Sequence, residues 1–301
     1  MPNAQEPLHF ADRLLRACRA KGTPICVGLD PVYERLPASL RTPNADAPAQ
    51  VAAIGTFCRG VLQAVAKHVA VIKPQSACFE RYHAPGVELC HQLIAEARQM
   101  GLIVILDGKR GDIGISSEHY AAGLLTDTPS LPAADALTVN SYLGVDGLEP
   151  FLKVAAAQGK GLFALVRTSN PGGDAIQGLP LADGRTVAQA VAQLMAQAGA
   201  GHVGTSGYSL LGAVVGATKT AEVRQLRELM PQQIFLVPGF GAQGGKADDV
   251  KACFRLDGTG AIINASRSIL FAYEKPATAD WRGAIAAATV AMKKEVMEIL
   301  H

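Results

Sequence analysis

Net charge is nearly absent from this chain. It carries 28 lysines and arginines against 26 acidic residues, a formal net charge of +2. No broad basic face for nucleic acid is implied, although a local anion site remains open. Long apolar runs are missing too, and none approaches the roughly 20 residues that span a bilayer. The stretch "AIAAATVAM" is too short and runs into Lys293 and Lys294. The N-terminal "MPNAQEPLHFADRLL" is polar and lacks the apolar segment of a secretory signal. A cytoplasmic protein is expected. The six cysteines at 18, 26, 58, 78, 90 and 253 form no C-x-x-C pair, and 301 residues need no disulfide staples. Buried, reduced thiols are the expectation. The seven histidines show no H-x-x-x-H or H-E-x-x-H spacing, so a zinc site has little support. No break in composition marks a domain boundary, and residues 1–301 read as one domain.

What the chain does have is a series of apolar, β-branched runs. Hydrophobic residues make up 49% and charged residues 18%, the balance of a globular protein. Strands are predicted at 24–30, 70–75, 103–109, 136–140, 161–168, 210–218, 234–240 and 260–266. Their near-continuous hydrophobicity suits parallel strands buried on both faces. Helical patterns lie between them. In 85–101, Leu89, Leu93, Ala97 and Met100 fall on one stripe, with Gly101 as a stop. In 220–231, Val223, Leu226 and Met230 line up before Pro231. Residues 281–300 predict a closing helix. Residues 9–22 predict an extra helix ahead of the first strand, with Phe10, Leu14 and Cys18 inward and Gly22 as its stop. About eight strands alternating with helices predict a (β/α)8 TIM barrel with an extra N-terminal helix, an open doubly wound sheet being the main rival. Two long loops, 31–50 and 169–186, follow the first and fifth strands. Both would lie at the C-terminal face of a barrel, where barrel enzymes work.

The unusual residues collect at strand ends. "VILDGKRGDIG" (104–114) places Asp107, Lys109 and Asp112 at the end of the third strand. Residues two apart share a strand face, so Asp107 and Lys109 can lie together, and Asp112 follows past Gly111. Asp30, Lys73 and Asn140 sit at the ends of the first, second and fourth strands. Each charge alone reads as an ordinary salt bridge or solvated loop end. Together, in a barrel, they converge on one mouth. A lysine between carboxylates is favoured as an ammonium, which makes it a poor Schiff-base nucleophile. It suits a carbanion instead, as electrostatic partner and proton donor. A carboxylate beside a substrate carboxylate would repel it, and loss of carbon dioxide would relieve that strain. The residues suggest an acid that protonates carbon without a cofactor. "PGFGAQGG" (238–245) follows the seventh strand and "NASRSI" (264–269) the eighth, the loops that often hold phosphate in barrels. Gly244 and Gly245 would let backbone N–H groups approach the oxygens, and Arg267 can grip a phosphate through two hydrogen bonds.

From about Ile25 to Ser268 the chain resembles the orotidine 5′-phosphate decarboxylase family. "LDGKRGDIG" is similar to that family's D-x-K-x-x-D signature, and its "KRGD" form to the second, bacterial and actinobacterial-type subgroup. Asp30, Lys73, "SNPGG", "GAQGG" and "RSI" add to the likeness. The resemblance implies metal-free, cofactor-free conversion of orotidine 5′-monophosphate to UMP, the last step of de novo pyrimidine synthesis. It implies Lys109 as proton donor to C6 and Asp107 as the carboxylate beside the leaving group. Asp112 would come from the partner subunit of a homodimer, with Ile113 and Ser116 completing the pocket from that chain. Asp30 and Lys73 would bind ribose, Lys73 also touching the catalytic network. Ser169 would contact the pyrimidine, and Gln243 and Arg267 the phosphate. The chain departs from the family's pattern at Ser116, where threonine is usual, and at Ser266, where glycine is common. Two alternatives stay open. A magnesium-dependent sugar-phosphate decarboxylase or aldolase on the same frame would need an acidic metal ligand near the second strand, where Lys73 would repel the metal. A nucleotide-binding barrel without activity would have no use for a lysine between two aspartates.

Overall fold

The computed structural model describes residues 8–129, 131–217, 220–239, 247–275 and 277–300. Eight parallel strands close into a barrel in sequence order: β1 (Ile25–Leu29), β2 (Val71–Pro74), β3 (Ile103–Arg110), β4 (Ala136–Val139), β5 (Gly161–Arg167), β6 (Leu211–Val215), β7 (Phe235–Pro238) and β8 (Ala261–Ala265). β8 returns to pair with β1 through Cys26 and Asn264. Every residue of β1, β2, β4, β6 and β8 is buried. That is why these strands read as continuous apolar runs: one face fills the barrel and the other meets helices. Each of the eight predicted ranges holds one observed strand, although residues 218 and 240, which end two of those ranges, lie outside the described residues, and the open-sheet rival is ruled out by closure.

The helices, in chain order, are α1 (Phe10–Lys21), α2 (Ala47–Val65), α3 (Ser76–Glu80), α4 (His83–Gln99), α5 (Gly114–Leu125), α6 (Val145–Gln158), α7 (Asp174–Gln177), α8 (Val187–Gly199), α9 (Thr220–Leu229), α10 (Ala247–Lys251), α11 (Arg267–Leu270) and α12 (Trp281–Leu300). The extra helix α1 closes the N-terminal end of the barrel. Phe10 lies over Gly161, where a Cβ would come within 2.1 Å of its ring, and meets Phe163 edge-on at 6.0 Å. Arg13 donates to the buried Asp135, one residue before β4, at 2.8 Å. Asp12 accepts from Ser206 and Thr205 on the connection into β6. Gly22 ends the helix at φ +62°, a conformation glycine adopts without steric cost; its N–H donates to the Arg19 carbonyl and the Thr23 N–H to the Cys18 carbonyl.

Two expectations are corrected. Met100 is exposed and not part of the buried stripe, because α4 stops at Gln99 and Gly101 turns the chain at φ +77°. The loop after β1 is shorter than 31–50. Asp46 accepts from the Ala49 N–H, Pro48 occupies the first turn, and α2 begins at Ala47. The loop after β5 ends where predicted, at Thr186, whose side chain forms a reciprocal capping box with Gln189.

Candidate active site

The C-terminal ends of β1 to β4 bring Asp30, Lys73, Asp107, Lys109 and Thr138 to one mouth. Asp107, on β3, is 7% exposed and Lys73, on β2, is 5% exposed. Lys73 Nζ lies 2.6 Å from Asp107 Oδ2, and Lys109 Nζ lies 2.5 Å from Asp107 Oδ1. One carboxylate therefore binds two ammonium groups, one per oxygen. Gln75 donates to Oδ2 at 3.2 Å and Thr138 to Oδ1 at 2.9 Å. The Lys73 side chain is sealed in, whereas that of Lys109 is 46% exposed and reaches into the mouth.

The electrostatics follow from this geometry. Burial pushes the Asp107 carboxyl up, but Lys73 and then Lys109 outweigh it and hold the group at about 2. Burial likewise disfavours the Lys73 ammonium, yet Asp107 and then Asp30 overcome it and raise its pKa. Asp30 stands one residue beyond β1, and its Oδ1 is buried with no hydrogen-bond partner among the described residues. A buried carboxylate oxygen left unpaired is costly, and a ligand hydroxyl in the mouth would satisfy it.

Lys109 is not placed by simple strand alternation. Its φ is +45°, uncommon for a residue with a side chain, and the β3–β4 register shifts between Leu106 and Arg110. The Lys109 N–H donates to Thr138 Oγ1 at 2.9 Å, and the same hydroxyl donates to Asp107. Thr138 and Gln75 escaped the sequence reading. The only signals they give are a hydroxyl inside the apolar "ALTV" and an amide two residues past Lys73.

Other residues fall elsewhere. Asn140 is engaged locally, its Oδ1 accepting from the Tyr142 N–H at 3.0 Å, and it makes no hydrogen bond to the cluster among the described residues. The Asp112 carboxylate accepts from its neighbour Ile113 at 2.8 Å and, among the described residues, makes no ion pair. Ile113 is exposed and Ser116 half-buried at the start of α5. Ser169 begins the loop after β5, against Gly216, where a Cβ would meet it at 3.0 Å. Arg167 anchors that loop through Asp174, Glu222 and Gln177. Arg267 opens α11 just after β8 and is exposed. Ser266 is accommodated by Gly28 of β1, where a Cβ would sit 1.8 Å from its Oγ. Gln243, Gly244 and Gly245 lie outside the described residues. Glu80 does not reach the mouth. It pairs with Arg110 and accepts from Ser76, beside a cavity of about 330 Å³ on the helix side of β3.

A closed parallel barrel with fixed charge at its strand ends and a lysine held by a buried carboxylate defines a class: a barrel enzyme that acts through a preset electrostatic field. Comparison with known proteins agrees and narrows it. Residues 23–281 match the orotidine 5′-phosphate decarboxylase / HUMPS family, and the chain belongs to that family. It is 43% identical over 298 residues to an orotidine 5′-phosphate decarboxylase of Rhodopirellula baltica, covering 95% of this chain and 98% of that protein. A crystal structure from Streptomyces avermitilis, provisionally assigned to the same enzyme, superposes with a TM-score of 0.83 at 35% identity. It covers 100% of this chain and 99% of that one. The OMP decarboxylase of Leishmania donovani superposes with a TM-score of 0.74 at 31% identity, covering 97% and 99%.

Proposed function

We propose that the chain decarboxylates orotidine 5′-monophosphate to UMP and carbon dioxide, with Lys109 as the acid. The carrying observation is the Lys73–Asp107–Lys109 array. A buried carboxylate fixes an ammonium that projects into the barrel mouth, with Thr138 setting its backbone. The substrate carboxylate beside Asp107 meets a group that stays ionised. The C6–carboxylate bond breaks with its electron pair left on C6, and carbon dioxide departs. Lys109 Nζ stabilises that pair as it forms and then gives it a proton, becoming a neutral amine that is reprotonated from solvent. None of these steps calls on a metal or a cofactor. The buried Asp30 oxygen, unpartnered among the described residues, supports a role in binding ribose hydroxyls with Lys73. Arg267, exposed after β8, would grip the phosphate in this reading, and Gln243, Gly244 and Gly245, which lie outside the described residues, would share that role. Ser169 would face the pyrimidine. The magnesium-dependent alternative needs an acidic ligand near β2, and Glu80, the nearby candidate, is engaged by Arg110 and Ser76.

The active assembly in this reading is a homodimer with shared sites. Asp112 does not join Lys109 of its own chain, and apolar side chains stand exposed beside it. Ile113 and Ile115 project from one segment, and Tyr142 and Leu143 from the neighbouring one. A second copy covering this face would bring its Asp112, Ile113 and Ser116 to the mouth. The test of the acid is Lys109→Ala. Turnover falls by about 10³-fold or more while UMP still binds. Turnover close to wild type would sink the assignment.

A further inference from the structure

We propose that Arg110 and Glu80 are positioning residues for Lys109, a strap on the helix side of β3 that keeps the lysine's backbone in its left-handed conformation. The inference rests on the reading of Lys109 as the acid. Glycines stand at 108 and 111, yet the positive φ of this segment falls on Lys109. A lysine does not hold that conformation unless its surroundings over-determine it.

The surroundings do so from both sides of the strand. Inside, Thr138 accepts the Lys109 N–H. Outside, Arg110 Nη1 donates to the Gly108 carbonyl at 3.0 Å, bridging the residue before Lys109 and the residue after it. Arg110 Nη2 reaches the Glu80 carboxylate, which Ser76 also holds. The guanidinium lies 5.8 Å from the Tyr120 ring centroid. The Arg110 carbonyl accepts from the Asn140 N–H at 2.7 Å, tying the same residue to the end of β4. Ser76 lies three residues beyond Lys73, so the strap joins the two strands that supply both site lysines. A lysine at 110 would have one nitrogen for these tasks, whereas the guanidinium fork serves Gly108 and Glu80 at once.

The pair lines the cavity and is partly solvated, with side chains 28% and 39% exposed. Such a pair adds little to global stability. Its loss would therefore show in the chemistry and not in the melting temperature. The test compares Arg110→Met, Arg110→Lys and the swap Glu80→Arg with Arg110→Glu against wild type, by steady-state kinetics on orotidine 5′-monophosphate and by thermal unfolding. All three lose about 10- to 100-fold in kcat, the scale of a small misplacement, with KM within about threefold. The swap restores an ion pair but not the bond to Gly108, so it does not recover kcat. Recovery by the swap, or a fall in melting temperature that accounts for the lost activity, would overturn the strap. A crystal structure of Arg110→Met tests the strap independently of turnover. Residue 109 is expected to leave the left-handed region and Lys109 Nζ to move beyond hydrogen-bond reach of Asp107. Unchanged backbone and contact would overturn the proposal whether or not wild type decarboxylates the nucleotide. An inactive wild type would count against the decarboxylase alone.

Discussion

Replacing Asp107 by asparagine tests the charge array at its centre. The side chain keeps its shape but loses its charge, and an amide offers one acceptor where the carboxylate offers two. Lys73, 5% exposed, is left as a buried ammonium whose contact anion has gone. Lys109 can turn to solvent, so the penalty falls mainly on Lys73. Removing one partner of a buried pair costs about 3–5 kcal/mol. At this chain length that lowers the melting temperature by about 5–8 °C at pH 7. The pH dependence has a definite sign. The Asp107 carboxyl is depressed from 3.8 to about 2. Its contribution, about 2 kcal/mol, is complete above the ordinary carboxyl range and is lost as pH falls toward 2. The gap between wild type and variant is thus full at pH 7 and begins to close below about pH 4. Adding Lys73→Met to the variant removes the orphaned charge and recovers at least about half of the loss, since deleting both partners is much milder than deleting one. Thermal unfolding of the four proteins at pH 7 and pH 3.5 is the assay. A melting temperature for Asp107→Asn within about 2 °C of wild type, or strict additivity with Lys73→Met, would refute the reasoning.

Gly28→Ala would place a Cβ 1.8 Å from Ser266 Oγ and 2.9 Å from its Cβ, displacing the turn that presents Arg267. KM for orotidine 5′-monophosphate rises about tenfold, the scale of one weakened phosphate contact, with kcat less affected; an unchanged KM would detach Arg267 from phosphate binding. Inactive Lys109→Ala and Asp112→Ala proteins, mixed and allowed to exchange subunits, regain part of the wild-type activity because one site in each mixed dimer is intact. Continued inactivity in proven heterodimers would assign Asp112 to its own chain.

The strands were legible because a parallel barrel buries both faces, so each strand is written as an unbroken apolar run whose limits are set by Gly, Pro and charge. The polar groups at their ends were legible for the same reason: Asp30, Lys73, Asp107 and Lys109 interrupt runs that have no local use for charge. The loop after β1 misled because "PNADAPAQ" has turn composition, although Asp46 and Pro48 in fact start α2. Met100 misled because periodicity cannot show that α4 ends one residue earlier. Contacts between distant segments were not legible at all. Thr138 and Gln75 join Asp107 from 31 and 32 residues away, and Glu80 meets Arg110 from 30. The left-handed backbone of Lys109 is likewise written in its neighbours, not in its own residue type.

In the proposed reaction, Lys109 protonates carbon in a field set by the chain itself. The most direct test mixes purified protein with orotidine 5′-monophosphate in excess chelator and follows the ultraviolet absorbance of the orotate ring. Rapid loss of that absorbance with UMP as product is the predicted result. An unchanged spectrum from folded protein would contradict the account and turn attention to a magnesium-dependent sugar-phosphate reaction on the same barrel.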